Sequence, residues 1–318
     1  AAFAASGLTG GPPPVSTPFT EEFNRSINAI TAAAFSSGGT MNTARRYLSG
    51  FGLRTAGVAV AGYITTNSSA ATEEYNGSSW TNSGNLGTAR YSLAACGIET
   101  AGLAFGGNPS DKTESEEYNG SSWSEGDNLN TGRGELGGAG TQTAALAFGG
   151  GEGGTPADNT EEYNGTSWAN QPNGLNVARR GEVGGAGIQT AALAFGGGYP
   201  GPSLGGNTEE YDGSSWTTGG TLNVARASPA GSSNGTQTAA LSCGGSSTAT
   251  IANVESYDGT SWSTRPSLGT AKKIAAGFAT ASDVVVAGGR TSTTVNTATT
   301  EQFNEETTAL NIKTITTS

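Results

Sequence analysis

The chain has 318 residues, a net charge of −11 at pH 7, 34% hydrophobic residues and 52 glycines. Its length fits either two ordinary domains or one large all-β domain. It has no basic stripe and no run of 18 apolar residues, which argues against a nucleic-acid surface and a transmembrane helix. It also has no histidine, so the most common transition-metal ligand is missing. We therefore expect no nucleic-acid partner, no membrane insertion, no metal and no cofactor.

The first copy of a repeated unit begins with a five-residue segment that ends in a basic residue, residues 41–45, which we call the lead. It follows an expected N-terminal arm, residues 1–19, and a Thr-Glu-Glu-Phe-Asn segment at residues 20–24. The lead recurs five times, usually as Leu-Asn/Gly-Thr/Val-Ala-Arg, and small residues follow it. The six leads end at Arg45, Arg90, Arg133, Arg179, Arg226 and Lys272.

Each unit continues with an apolar run that is closed by Gly-Gly, such as Leu-Ala-Phe-Gly-Gly at residues 103–107. The equivalent runs end at Gly150, Gly197, Gly245 and Gly289, and the first copy ends in Ala61-Gly62. Runs of this length, bounded by Gly, Asn and Ser, predict short strands and not helices.

The third and fourth parts of the unit read Glu-Glu-Tyr-Asn-Gly-Ser-Ser-Trp, first seen at residues 73–80. Asn-Gly or Asp-Gly after the tyrosine predicts a hairpin, because both turn positions favour positive φ. The tryptophans that close the five copies are Trp80, Trp123, Trp168, Trp216 and Trp262. We expect these tyrosines and tryptophans to pack between repeats, since large aromatic side chains dominate such cores.

Four short strands in each of six repeats predict an all-β six-bladed β-propeller. The order Arg, Gly-Gly, Tyr-Asn/Asp, Trp resembles the kelch repeat over residues 20–308. The particular form of the repeat, with Glu-Glu-Tyr-Asn-Gly-Ser-Ser-Trp, also resembles kelch-like virion proteins of marine bacteriophages. Seven blades remain an alternative, although the seventh would lack its first two strands. We expect small residues of the lead and Gly-Gly strands to line the central axis.

Both chain ends are predicted to contribute to ring closure. The last repeat has no tryptophan, and Phe35 stands ten residues before Arg45, as Trp80 does before Arg90. A segment around residues 32–35 is therefore expected to supply the outer strand of the last blade. Residues 309–318, expected to form a C-terminal strand or tail, contain a rival outer strand, and residues 20–24 are surplus.

The two cysteines, Cys96 and Cys243, lie three repeats apart. In a ring of six blades they would be opposite one another, too far apart for a disulfide. We expect both to be buried free thiols. The chain opens with Ala-Ala-Phe-Ala-Ala, without Met, which is typical of a processed product or a fragment.

The six basic residues suggest either an anion-binding ring or structural pairs with the repeated glutamates, one pair in each blade. Repetition favours the structural pairs. Adjacent glutamates such as Glu73 and Glu74 point to opposite faces of a strand, so they cannot act together as glycosidase carboxylates.

The loops between the Gly-Gly strand and the Glu-Tyr strand are the parts that differ between repeats. They carry four unusual residues, which are our candidate binding residues: Asp111, Lys112, Tyr199 and Arg290. Variable loops on a rigid scaffold often bind ligands, while sequence drift in an unconstrained surface is the alternative explanation.

The sequence thus predicts a non-catalytic structural or binding propeller, virion-associated or extracellular, acting in attachment or decoration. Its expected partners are other virion or surface-assembly subunits, a cell-surface glycan or a protein. A secreted carbohydrate-active propeller enzyme is the main alternative. An intracellular kelch adaptor is less favoured, because no helical dimerisation segment accompanies the repeats.

Overall fold

The computed structural model describes residues 27–198, 205–291 and 295–311, and every regular element in these ranges is a β-strand. The chain forms two compact units, a large one at Ala33–Glu305 and a small one from Ala1–Ala32 and Glu306–Ser318. A search of the described residues finds no helix that combines the length and the apolar character needed to cross a bilayer.

The strands are as follows in chain order. They are β1 (Ile27–Thr31), β2 (Ala34–Ser37), β3 (Ser49–Leu53), β4 (Ala56–Val60), β5 (Thr72–Tyr75), β6 (Trp80–Ser83), β7 (Ala94–Ile98), β8 (Ala101–Phe105), β9 (Ser115–Tyr118), β10 (Trp123–Glu125), β11 (Gly137–Thr141), β12 (Ala144–Phe148), β13 (Gly151–Glu152) and β14 (Thr155–Pro156). They continue with β15 (Thr160–Tyr163), β16 (Trp168–Asn170), β17 (Gly184–Ile188), β18 (Ala191–Phe195), β19 (Thr208–Tyr211), β20 (Trp216–Thr218), β21 (Ala230–Gly231), β22 (Ala240–Cys243), β23 (Val254–Tyr257), β24 (Trp262–Arg265), β25 (Ala276–Phe278), β26 (Val285–Ala287), β27 (Thr300–Asn304) and β28 (Thr307–Asn311).

Six four-stranded antiparallel sheets make up the large unit. Blades 1 to 6 have the strand orders β3-β4-β5-β6, β7-β8-β9-β10, β11-β12-β15-β16, β17-β18-β19-β20, β21-β22-β23-β24 and β25-β26-β27-β2. The first strand of each blade packs against the first strands of both neighbours, and the contact between β25 and β3 closes the circle. The large unit is therefore a six-bladed β-propeller, as predicted, and the seven-bladed alternative is wrong.

Blade 6 is completed by the N-terminal segment, as expected. Strand β2 pairs with β27, and the Phe35 ring lies 5.2 Å from the Phe303 ring. The rival strand, β28, pairs instead with β1 in the small unit, from Ile27 opposite Asn311 to Thr31 opposite Thr307. The surplus segment at residues 20–24 lies outside the described residues.

The aromatic side chains occupy the cores between blades. In one such core Trp168 lies 4.9 Å from Phe105 of the preceding blade and 5.1 Å from Tyr163 of its own blade, measured between ring centres. Small residues are required beside these rings: a Cβ added to Gly137 would lie 2.2 Å from the Phe148 ring. Glycine is therefore selected on the inner strands by close packing as well as by backbone freedom.

The residues that line the central channel differ in part from those predicted. The channel is lined by the innermost strands, such as β3, β7 and β25, and by the residues just before them. The Gly-Gly strands lie one position further out in each sheet, so they do not line the channel. The basic residue also lies outside the strand, which begins four residues later in blade 1 (Arg45, then Ser49).

The Tyr-to-Trp hairpins form, but with another turn than predicted. In blade 1 the loop holds four residues, and Gly77 has the positive φ of 94°. The Asn76 side chain accepts hydrogen bonds from the backbone N–H groups of Ser78 and Ser79, at 3.0 and 2.9 Å. This Asx turn explains why asparagine or aspartate occupies the position in every copy.

Cys96 in blade 2 and Cys243 in blade 5 are free and buried, as predicted. Burial raises the pKa of each thiol to about 12. Both side chains therefore serve as small apolar groups in the core.

Candidate functional site

The six basic residues form buried ion pairs with the first repeated glutamate of the same blade, which is the structural arrangement that the sequence favoured. The pairs are Arg45–Glu73 (2.9 Å), Arg90–Glu116 (3.1 Å), Arg133–Glu161 (2.9 Å), Arg179–Glu209 (3.1 Å), Arg226–Glu255 and Lys272–Glu301 (3.0 Å).

The partners of Arg45 show what each pair does for the blade. Its Nη1 donates to the carbonyl oxygens of Ala61 and Ala71 at 2.7 and 2.6 Å, and its Nη2 contacts Glu73. The other carboxylate oxygen of Glu73 accepts the N–H of Asn42 at 2.6 Å. Burial lowers the pKa of Arg45, and Glu73 opposes this shift. The Nη groups are thus used inside the blade and not at a shared anion site.

The second repeated glutamate points to the other face of its strand and binds the tyrosine of the next blade. The tyrosine hydroxyl donates to the carboxylate in four junctions. They are Tyr118–Glu74, Tyr163–Glu117 (2.8 Å), Tyr211–Glu162 (2.9 Å) and Tyr257–Glu210 (2.6 Å). Burial and the hydrogen bond from its hydroxyl to Glu210 raise the pKa of Tyr257 to about 12.

This inter-blade role was missed in the sequence, although a signal for it exists. Blade 5 has Ser256 in place of the second glutamate, and the next blade has Phe303 in place of the tyrosine. Where the hydroxyl is absent, the carboxylate is absent too. Both repeated glutamates are therefore structural, one inside a blade and one between blades.

One end of the propeller, which we call the loop face, carries the leads and the loops between second and third strands. These segments share an end because the strands of each blade alternate in direction. A two-residue backbone bridge joins them in every blade. The six bridges are Arg46–Tyr63, Tyr91–Asn108, Gly134–Gly151, Arg180–Gly198, Ala227–Ser246 and Lys273–Arg290.

Three of the predicted candidate residues belong to this face, and the structure divides them between blades 2 and 6. Asp111 lies in the blade 2 loop, where its carboxylate accepts the N–H of Gly153 of blade 3 at 2.7 Å. Lys112 pairs with Glu114 at 3.2 Å. Arg290 belongs to blade 6, with blade 1 in between. Tyr199 lies outside the described residues.

Large side chains at the bridges, and at Tyr47 next to one of them, lie together on one side of the ring. We call this set, drawn from blades 6, 1 and 2, the cationic–aromatic arc: Arg46, Tyr47, Tyr63, Tyr91, Lys273 and Arg290. All but one of the bridge residues of blades 3 to 5 are Gly, Ala or Ser, the exception being Arg180. Only Arg290 was predicted from the sequence, because the other members lie one or two residues after framework positions and differ from copy to copy.

Within the arc, the rings and the guanidinium of Arg46 form one cluster. Its Cζ lies 4.9 Å from the ring centre of Tyr63 and 5.6 Å from that of Tyr47. Tyr91 contacts both rings, with centres 5.1 and 5.7 Å apart. Arg46 Nη1 donates to Asn296 Oδ1 at 2.9 Å, and the backbone of Asn296 bridges to Arg290. These side chains are half-exposed, which makes them accessible to a ligand.

Beside the arc, the channel mouth is ringed by six non-glycine residues in the left-handed region. They are Tyr47, Ser92, Glu135, Glu182, Ser228 and Ile274, with φ between 50° and 59°. This conformation costs about 1–2 kcal/mol per residue, so surrounding contacts must compensate. Backbone N–H groups here donate to the neighbouring blade, as from Ser92 to Tyr47 and from Glu135 to Ser92, both at 2.8 Å.

Glu182 is the unusual group of the channel mouth. Its carboxylate accepts hydrogen bonds from the hydroxyls of Ser92 (2.8 Å) and Ser228 (2.6 Å), which belong to blades 2 and 5. Burial, and next the negative charge of Glu135, raise the pKa of Glu182 to about 7. Blades 2 and 5, which lie on opposite sides of the ring, are therefore connected through one titratable group.

A search of the described residues finds no cluster of three or more His, Cys, Asp or Glu side chains arranged to hold a metal ion. No protein-family model matches the chain, and no curated protein is found to match it either. The assignment of the candidate site therefore rests on the geometry of this chain.

Proposed function

We propose that this chain is a non-catalytic binding propeller of a virion or another extracellular surface, with kelch-like repeats of the kind that resemble marine bacteriophage proteins. It acts in attachment or decoration and engages a glycan or a protein partner through its loop face. The observation that carries the proposal is the break in six-fold symmetry at the bridges, where cationic and aromatic side chains gather in blades 6, 1 and 2.

The repeated residues already have structural partners. The framework arginines, glutamates, tyrosines and tryptophans contact one another within and between blades. Positions that repeat in six blades cannot specify one ligand, whereas the arc occurs once. Half-exposed aromatic rings with a few polar groups are the usual composition of a ligand site.

Attachment of the labelled full chain to a panel of immobilised glycans and to intact cell surfaces tests the proposal. The arc variants are Tyr63→Ser and Tyr91→Ala, which copy Ser246 and Ala227 at the equivalent bridge of blade 5. Leu53→Ser is the matched control, because Leu53 is exposed (47%) at the opposite end of blade 1. Attachment should fall at least fivefold in the arc variants and stay within twofold of wild type in the control. Equal attachment by all three variants would place the contact surface elsewhere.

A secreted carbohydrate-active enzyme is the second candidate, and one observation favours it. Glu182 has a raised pKa of about 7 and lies close enough to Glu135 to be influenced by its charge. A protonated carboxyl beside a second carboxylate is the pairing that glycoside hydrolysis uses. Release of reducing ends from polysaccharides, abolished by Glu182→Gln, would support the enzyme in place of the binding module.

A further inference from the structure

The arc suggests a particular class of ligand, and this inference rests on the proposed function. We propose that the arc binds a saccharide unit that carries a carboxylate. Arg290 and Lys273 would hold the carboxylate, and the half-exposed rings of Tyr63 and Tyr91 would contact the sugar ring.

The arc contains most of the basic side chains that form no ion pair. In the described part of the chain, nine basic residues form ion pairs within 4 Å. The four that form none are Arg46, Arg54, Lys273 and Arg290, and three of these belong to the arc. Arg54 lies outside the arc and donates to Gln302 Oε1 at 2.6 Å, and Lys273 Nζ donates to Ser246 Oγ of blade 5 at 3.3 Å.

These cations lie together although the chain as a whole carries a net negative charge. Asp and Glu number 26 against 15 Lys and Arg, so a cation without an acidic neighbour is expected to be rare. These three cations lie in blades 6 and 1 and have no carboxylate within 4 Å among the described residues, although the charge of Lys273 acts on Glu182 and opposes its raised pKa. A guanidinium in this situation is suited to bidentate binding of a carboxylate.

The cations and the aromatic rings of the arc are connected through Asn296. The backbone of Arg290 bridges to both Lys273 and Asn296, and the Asn296 side chain contacts Arg46 and the carbonyl of Tyr63. Cations and rings therefore form one surface. An acidic peptide could use the cations alone, whereas a sugar ring also uses aromatic faces through its C–H groups. The rings thus favour the saccharide.

The test uses the full chain with oligogalacturonate and sialyllactose, each beside its carboxyl-reduced form, in titration calorimetry. The double variant Lys273→Ala/Arg290→Ser copies Ala227 and Ser246 of blade 5, so its melting temperature should stay unchanged. Arg180→Ser is the control, because Arg180 occupies the same bridge position but pairs with Glu135.

At least one acidic oligosaccharide should bind. Carboxyl reduction of the sugar, or the double variant, should weaken its affinity at least tenfold. The control variant should bind within threefold of wild type. The inference is overturned if neither acidic sugar binds, if the reduced form binds equally, or if poly-glutamate binds more tightly. Binding of a neutral glycan that Tyr63→Ser abolishes would overturn the carboxylate while leaving the proposed function in place. No binding to any glycan or cell surface would remove both.

Discussion

The hydrogen bond between Tyr211 and Glu162 offers the sharpest test of how the blades are joined. The natural junction of blades 5 and 6 lacks both groups, having Ser256 and Phe303. We therefore expect Glu162→Ser and Tyr211→Phe to be costly separately and less costly together. Either single change leaves the other residue, the buried Tyr211 or the half-buried Glu162, without this 2.9 Å hydrogen bond to a charged group.

The magnitudes follow from the environment of the bond. Hydrogen bonds to charged groups contribute about 1.5–3 kcal/mol, and the half-buried Glu162 places this bond near the lower end. Each single variant should lose about 1.5 kcal/mol of unfolding free energy, and the double variant about 2 kcal/mol. The coupling is then about 1 kcal/mol, above the roughly 0.5 kcal/mol scatter of independent sites.

Equilibrium urea unfolding, followed by tryptophan fluorescence, measures these free energies. The control cycle combines Tyr211→Phe with Glu74→Ser, whose partner is Tyr118 in another junction. That pair should be additive. Additive losses for Glu162→Ser and Tyr211→Phe as well would refute the idea that the second glutamate joins the blades.

Three further predictions concern the framework, the channel mouth and the thiols. Arg133→Met leaves Glu161 as a buried charge without a partner and should cost about 3–5 kcal/mol in urea unfolding, whereas Arg133→Lys, as in blade 6, should cost less than half of that; equal losses would contradict the pairing. Glu182 has its pKa raised to about 7 in the folded chain, against an ordinary value of 4.5, so its contribution to stability is greatest at low pH and declines as pH rises from about 4.5 to 7. The chain has no histidine to mask this window, so Glu182→Gln should flatten the fall in melting temperature between pH 5 and 8, and an unchanged slope would contradict the assignment. Cys96 and Cys243 should react with a thiol reagent only after denaturation, giving two thiols per chain without reductant; fewer than two would indicate a bridge.

Much of the fold was predictable because its determinants are local and repeated. Strand lengths, the Tyr-to-Trp hairpin and the number of blades follow from apolar runs and turn residues that lie within a few positions of one another. The pairing of Arg133 with Glu161 was also accessible, since one basic and one acidic residue recur in every copy. Closure by β2 followed from Phe35, which keeps the spacing of a tryptophan with no blade before it.

The candidate site depended on the tertiary structure, because it is assembled across blades. Arg46 and Arg290 are 244 positions apart in the chain, yet ring closure makes blades 6 and 1 neighbours, and Asn296 connects the two residues. The raised pKa of Glu182 likewise needs burial at the channel mouth and the charge of Glu135 from the neighbouring blade, and the hydrogen bonds from Ser92 and Ser228 oppose the shift. Sequence repetition determines the blade, since its contacts are short-range, whereas the ring alone decides which of the irregular side chains meet.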